Sequence, residues 1–205
     1  MSERKYPVIT ISREFGAGGH SIARVVSERL GIPYYDRDFA KQAAARSGYS
    51  QEDIDREGEN LSRSARLLDN ILNNSAGYFS SHDAIYQAQK ELILQFAAEQ
   101  DCIIIGRCAD YVLDGTENLV RLFVYAEIEE RINKVREKGY FPEEDILKNI
   151  KRIDRERRDY YRYYTGKSWE NLENYDLMIN TTKLSYDDMV ECVVDYLKMR
   201  GILAK

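Results

Sequence analysis

The stretch SREFGAGGHS, residues 12–21, follows a β-branched run, PVITIS, and leads into IARVVSERL, whose apolar residues recur at helical spacing. Glycines between a strand and a helix suit an oxyanion: they let backbone N–H groups turn inward, and the helix start adds its positive dipole end. Gly16, Gly18 and Gly19 provide that turn, with Ala17 among them. A phosphate loop also needs a cation, yet this stretch has no lysine. Laid on the pattern G-x-x-x-x-G-K-S/T, the preferred register runs from Glu14 to Ser21, with His20 at the lysine position and Ser21 at the magnesium-binding hydroxyl. A shift of one residue puts Gly19 at the lysine position and His20 at the hydroxyl, and leaves no metal ligand. An unperturbed imidazole at His20 is mostly neutral at pH 7, whereas Arg13, just ahead of the loop, is a permanent cation. Arg13 is therefore the preferred source of charge, with His20 as a neutral donor. A dinucleotide-binding turn is the rival reading, since Asp36 follows Gly16 by about 20 residues, but GAGGHS lacks the third glycine.

A second concentration of charge is RIDRERRDYYRYYTGK, residues 152–167. On a helix, Arg155, Arg158 and Arg162 fall at i, i+3 and i+7 with Asp159 alongside. Guanidiniums on one face repel unless an anion lies between them, and phosphate is the obvious candidate. The plainer alternative is a solvated helix whose arginines are neutralised by Asp154, Glu156 and Asp159. Arg107 ends the run IIIGR, at the mouth of a sheet, where open α/β folds bind ligands. The neighbouring tyrosines, Tyr160, Tyr161, Tyr163 and Tyr164, read as packing residues with wet hydroxyls before they read as base contacts. Trp169 is either a hinge or a cover for a core edge. His82 reads as a helix-start residue and Cys108 as a small buried thiol.

These residues need elements to hold them. Short apolar runs at 7–12, 32–36, 102–106, 119–126 and 176–181 read as strands, and helical periodicity fills the intervals. Ile22, Val25, Val26 and Leu30 form one stripe, closed by Gly31 and Pro33. Ile85, Ala88, Leu92 and Phe96 form another, and Ile128, Ile132 and Val135 a third. Ser50 with Asp53 is a capping pair, and Ser185 opens a last helix closed by Gly201. Pro142 with Glu143 and Glu144 reads as the first turn of a long helix. Strands separated by helical crossovers predict a parallel sheet covered on both faces.

Composition sets the bounds. The chain has 205 residues, 43% hydrophobic and 32% charged, with a net charge of -5, so it is expected to be one globular domain with no footprint for nucleic acid or an anionic membrane. Cys102, Cys108 and Cys192 match no zinc or redox spacing and are expected as reduced thiols. A cytoplasmic protein, a monomer or a homodimer, is the expectation.

Taken together, the chain resembles the cytidylate kinase-like branch of the P-loop nucleoside monophosphate kinases over nearly its whole length. Arg155, Asp159 and Arg162 match that family's lid motif, Gly106 and Arg107 its glycine-arginine pair after the third strand, and DLMINTT its closing segment. Two features differ. Cys108 stands where the family has a base-reading aspartate, with Asp110 two residues on, and Asp36-Arg37-Asp38-Phe39 replaces its second-strand ending. The resemblance implies an α/β P-loop NTPase fold: a five-stranded parallel sheet with helices on both faces in a single domain over 1–205. It implies a helical acceptor-side subdomain at 38–99 and an arginine-rich lid region at 142–168. It also implies transfer of the γ-phosphoryl of ATP, with Mg²⁺, to a nucleoside monophosphate (CMP or dCMP) or a related small phosphorylated acceptor. Arg13, His20, Arg155 and Arg162 would be catalytic. Arg13, residues 16–21, Arg155 and Arg158 would hold the nucleotide phosphates, and Ser21 the metal. Asp36, Arg37, Arg107, Asp110, Asp159 and Arg162 would hold the acceptor. The alternative is a P-loop protein that binds nucleotide, or regulates, without turnover.

Overall fold

A computed structural model of the chain describes residues 7–36 and 81–203. Strand β1 (Val8–Arg13) runs into helix α1 (Gly19–Leu30) and the two-residue strand β2 (Tyr34–Tyr35). Helix α2 (Ser81–Glu99) precedes β3 (Cys102–Ile105), a short α3 (Ala109–Val112) and β4 (Leu119–Tyr125). Then come α4 (Ile128–Glu137), the long α5 (Ile146–Thr165), β5 (Leu177–Asn180) and α6 (Tyr186–Met199). All strand pairs are parallel, in the order β2-β3-β1-β4-β5. The chain leaves β1 toward one edge and later returns to its other side, so the carboxyl end of β1 is the point where strand order reverses. That is where such sheets form a crevice.

The strands are apolar on both faces because both are covered. Ile9, Ile11, Leu122 and Val124 pack with Ile22 and Val26 of α1 and with Met189, Val193 and Leu197 of α6. On the opposite side Val8, Cys102 and Ile104 pack with Leu92 and Ile93 of α2 and with Ala109 and Leu113. Helix α6 starts with a reciprocal capping box between Ser185 and Asp188.

Three details differ from the expected elements. Pro142 does not open α5: it precedes a 3₁₀ turn (Glu143–Asp145), and the α-helix begins at Ile146. On α2 Tyr86, Gln89, Ile93 and Ala97 are buried beside Leu92, with Ala88 and Phe96 half-buried against the same core, so the covered face is wider than the stripe read from apolar spacing. Helix α3 was not expected, because the turn that starts it has a backbone conformation unusual for its residues, described below. The capping pair Ser50 with Asp53, Arg37 and most of the expected segment 38–99 lie outside the described residues; of that segment only 81–99 is described, as α2.

Candidate functional site

The loop from Glu14 to Gly18 is anchored from behind. Glu14 takes the main-chain N–H of Ala126 at 3.1 Å on one carboxylate oxygen and the Arg131 guanidinium at 3.0 Å on the other. Arg131, from α4, also donates to the Phe15 carbonyl at 2.8 Å and pairs with Asp154 of α5, whose second oxygen accepts from the Phe15 N–H at 2.8 Å. Arg131 and Asp154 are buried. Burial pushes the Glu14 carboxyl up, and Arg131 holds it partly back. One guanidinium between two carboxylates therefore ties the loop to α4 and α5. Gly16 has φ +82°, and a Cβ there would lie 3.0 Å from the Arg131 carbonyl, so both conformation and space require glycine. Gly18 (φ +90°) is the N-cap of α1 and has no capping side chain, leaving first-turn N–H groups available for an anion. Thr181 Oγ1 donates to the Ala17 carbonyl at 2.9 Å and fixes the crest.

Arg13 crosses this loop. A Cβ at Gly19 would lie 2.8 Å from both Cβ and Cγ of Arg13, and a Cβ at Gly106 would overlap its Nη1. The arginine stem thus lies against the first residue of α1, and its head sits at the end of β3. Arg157 of α5 donates from Nη1 to the Arg13 carbonyl at 2.8 Å and stacks on the Phe15 ring at 5.7 Å.

Arg107 is presented by strain. Gly106, Arg107 and Cys108 all have positive φ (71°, 58° and 54°), and for the two non-glycines this costs on the order of 1 kcal/mol each. The guanidinium hydrogen-bonds the Tyr160 hydroxyl, which donates to the buried Gln89 of α2 at 3.2 Å. Arg107 is therefore braced by two helices.

Two hollows meet here. A cleft of about 650 Å³ opens above the loop, walled by Gly18, Gly19, His20, Ser21 and Asp36 on one side and by Lys134, Arg152 and Arg157 on the other. A cavity of about 30 Å³, the size of a small anion or a water, lies at the strand ends among Ser12, Arg13, Arg107, Cys108 and Arg157. Arg13 and Arg157 line both.

The expected site residues separate into two groups. Arg13, Gly16, Gly18, Gly19, His20, Ser21, Asp36 and Arg107 are brought to these hollows, with Ala17 buried beneath the crest. His20 Nδ1 lies 2.6 Å from Asp36 Oδ2, which joins α1 to the end of β2. Arg155, Arg158, Asp159 and Arg162 are not among the lining residues. Arg155 and Arg162 are exposed, and Arg158 pairs with Glu170 at 2.6 Å. The inward phase of α5 is set by Ile146, Ile150, Asp154 and Tyr161, and at about 100° per residue it turns Arg157 inward and the 155/158/162 row outward. Asp110 also differs from expectation. It is buried under the Tyr161 hydroxyl, which donates to it at 2.6 Å, so it fastens α3 to α5 and does not face the cleft. Burial raises the Asp110 carboxyl, against the Tyr161 bond, and burial likewise holds the Cys108 thiol in its protonated form. Arg152, Arg157 and Lys134 were missed. Arg157 was recoverable from its spacing to Asp154 and Tyr161; Lys134 lies beyond any local signal.

A parallel sheet with a glycine loop and cations at its switch point defines a phosphate-binding α/β protein of the P-loop fold. The chain matches the cytidylate kinase-like family over residues 8–183 and belongs to it. It is 23% identical to the cytidylate kinase of Archaeoglobus fulgidus over 197 residues, covering 95% of this chain and 96% of that one. It is 25% identical to that of Pyrococcus horikoshii over 199 residues, covering 95% and 91%. Among solved structures, an uncharacterized protein from Eubacterium ventriosum superposes with a TM-score of 0.69 at 24% identity, covering 94% of this chain and 98% of that one. The shikimate kinase of Acinetobacter baumannii, in complex with shikimate, gives 0.54 at 13%, covering 95% and 94%. At such identity these two structures share the fold. Among the described residues no helix is long and apolar enough to cross a membrane.

Proposed function

We propose that the protein is an ATP-dependent phosphotransferase acting on a nucleoside monophosphate, CMP or dCMP, with the ATP phosphates on the 16–21 loop and the acceptor phosphate against Arg107. The observation that carries this reading is the shared wall: Arg13 and Arg157 line both the cleft above the loop and the small cavity at the strand ends. A phosphoryl group passing from one hollow to the other would meet both guanidiniums.

The chemistry asks little of any one residue. An acceptor phosphate oxygen attacks the γ-phosphorus, the bond to the β,γ-bridging oxygen breaks, and its electron pair leaves with ADP. Positioning and charge stabilisation do the rest. Arg13 and Arg157 would offset charge on the equatorial oxygens, and Arg107, braced through Tyr160, would orient the acceptor. Magnesium favours oxygen donors and keeps several waters when it binds with phosphates. Ser21 and Asp36 put a hydroxyl and a carboxylate on the cleft wall, a donor set that fits; when bound, the ion would supply charge neutralisation between the outer phosphates.

Titration calorimetry tests the assignment. Arg107→Ala is expected to weaken CMP about 10- to 150-fold, the range for one charged hydrogen bond, with ATP affinity held within about threefold. Equal loss of both ligands, or of neither, would contradict the two-hollow reading.

A further inference from the structure

We infer that Arg13 and Gly19 have exchanged the two ends of the phosphate loop, so that the cation of this site comes from the first position of the fingerprint and the lysine position is held empty to make room for it. The inference rests on the phosphotransferase reading and gives it a specific source of charge.

In G-x-x-x-x-G-K the first glycine and the lysine stand six residues apart, the separation of Arg13 from Gly19. In this register Gly18 is the second glycine, and it is Gly18 that takes the left-handed conformation before the helix, whereas Gly19 is already helical. A register with His20 at the lysine position would place a helical residue at that glycine. The space confirms the pairing. The Arg13 stem occupies the ground that any side chain at Gly19 would need, since a Cβ there would approach two Arg13 carbons at 2.8 Å. At its far end the guanidinium fills the place of a Cβ at Gly106. Gly19 and Gly106 therefore make a groove for one long cationic side chain, which can enter from residue 13 or from residue 19 but not from both. Arg157 holds the base of that side chain through the Arg13 carbonyl. His20 falls at the hydroxyl position in this register, with Nδ1 turned to Asp36, and the hydroxyl offered to a metal is that of Ser21, one residue beyond the fingerprint and still on the cleft wall.

The test is a swap. Arg13→Gly, Gly19→Lys and the double variant are compared by thermal unfolding without ligand and by calorimetry with ATP and with inorganic tripolyphosphate. Arg13→Gly is expected to keep the fold and lose about 10- to 150-fold in tripolyphosphate affinity. Gly19→Lys, overpacked against Arg13, is expected to melt about 3–10 °C lower. The double variant should recover most of both losses. A double variant no better than the worse single one, or Gly19→Lys melting like the parent, overturns the exchange while leaving the kinase reading in place. A parent protein that binds neither ATP nor tripolyphosphate overturns the kinase reading and this inference with it.

Discussion

Replacing Arg131 by methionine keeps most of the side chain's length and removes its charge, leaving Glu14 and Asp154 without the cation between them. In the parent protein Arg131 donates to the Phe15 carbonyl and pairs with both carboxylates, and it is buried together with Asp154. Removing one partner from a buried ion network costs about 3–5 kcal/mol, because the charge left behind is uncompensated. Against a total stability on the order of 5–15 kcal/mol this is a large fraction. At 2–4 °C per kcal/mol it lowers the melting temperature by about 6–20 °C. The loss must depend on pH. Glu14 already sits above the ordinary carboxylate range because of burial, with Arg131 as its main opposing influence and Asp154 adding to the rise. Without Arg131 it rises further. A carboxyl whose folded-state pKa exceeds its unfolded value binds protons on folding, so the variant is expected to regain stability as pH falls from 8 toward 5. Urea unfolding at both pH values measures this. A loss under about 1 kcal/mol, or the same loss at pH 8 and pH 5, would refute the view that this triad anchors the loop. Glu14→Gln/Arg131→Met/Asp154→Asn, which leaves no buried charge, should be more stable than Arg131→Met alone.

Tyr161→Phe removes the side-chain hydrogen bond from the buried Asp110 carboxyl and should cost about 1.5–3 kcal/mol in urea unfolding, a loss that Asp110→Asn in the same background partly reverses. Arg157→Ala is expected to weaken ATP at least about tenfold by calorimetry, and Arg155→Ala by less than about threefold, because of these two Arg157 alone lines the cleft. Asp176 makes a two-pronged contact with Arg121 at 3.2 and 3.1 Å and accepts its N–H at 2.8 Å. Burial would raise its carboxyl, but these bonds and the Arg121 charge outweigh it and hold the pKa below the ordinary range. Its stabilisation is therefore complete above the unfolded value, about 3.9, and is lost as pH falls through the lower folded value. The stability gap between parent and Asp176→Asn should accordingly narrow in urea melts from pH 6 to pH 2.5.

What could be read from the sequence follows the range of the interactions involved. The five strands and the glycine loop were legible because β-branched runs and turn residues are local signals. Arg107 at the strand mouth followed from them. The arginine helix was legible as a helix but not in its phase. Charge spacing picked the row 155/158/162, whereas rotation is set by Ile146, Ile150, Asp154 and Tyr161, whose partners lie on other elements. Asp110 looked like a ligand because it follows Cys108, which stands where the resembled family has an aspartate, and its burial depends on a tyrosine 51 residues away. The register inferred for the loop from the Arg13 and Gly19 geometry is out of reach of the sequence for a similar reason: the closeness of Arg13 to Gly19 exists only in three dimensions.

Phosphoryl transfer on a loop without a lysine is directly measurable. The most direct measurement is phosphorus-31 NMR of the purified protein with ATP, Mg²⁺ and each of a panel of nucleoside monophosphates, run beside Arg13→Ala. ADP and a nucleoside diphosphate are expected to appear together, in equal amounts, for a cytidine acceptor, and the rate is expected to fall at least about tenfold in the variant. ATP binding with no diphosphate formed from any acceptor would contradict this and leave a nucleotide-binding protein without turnover.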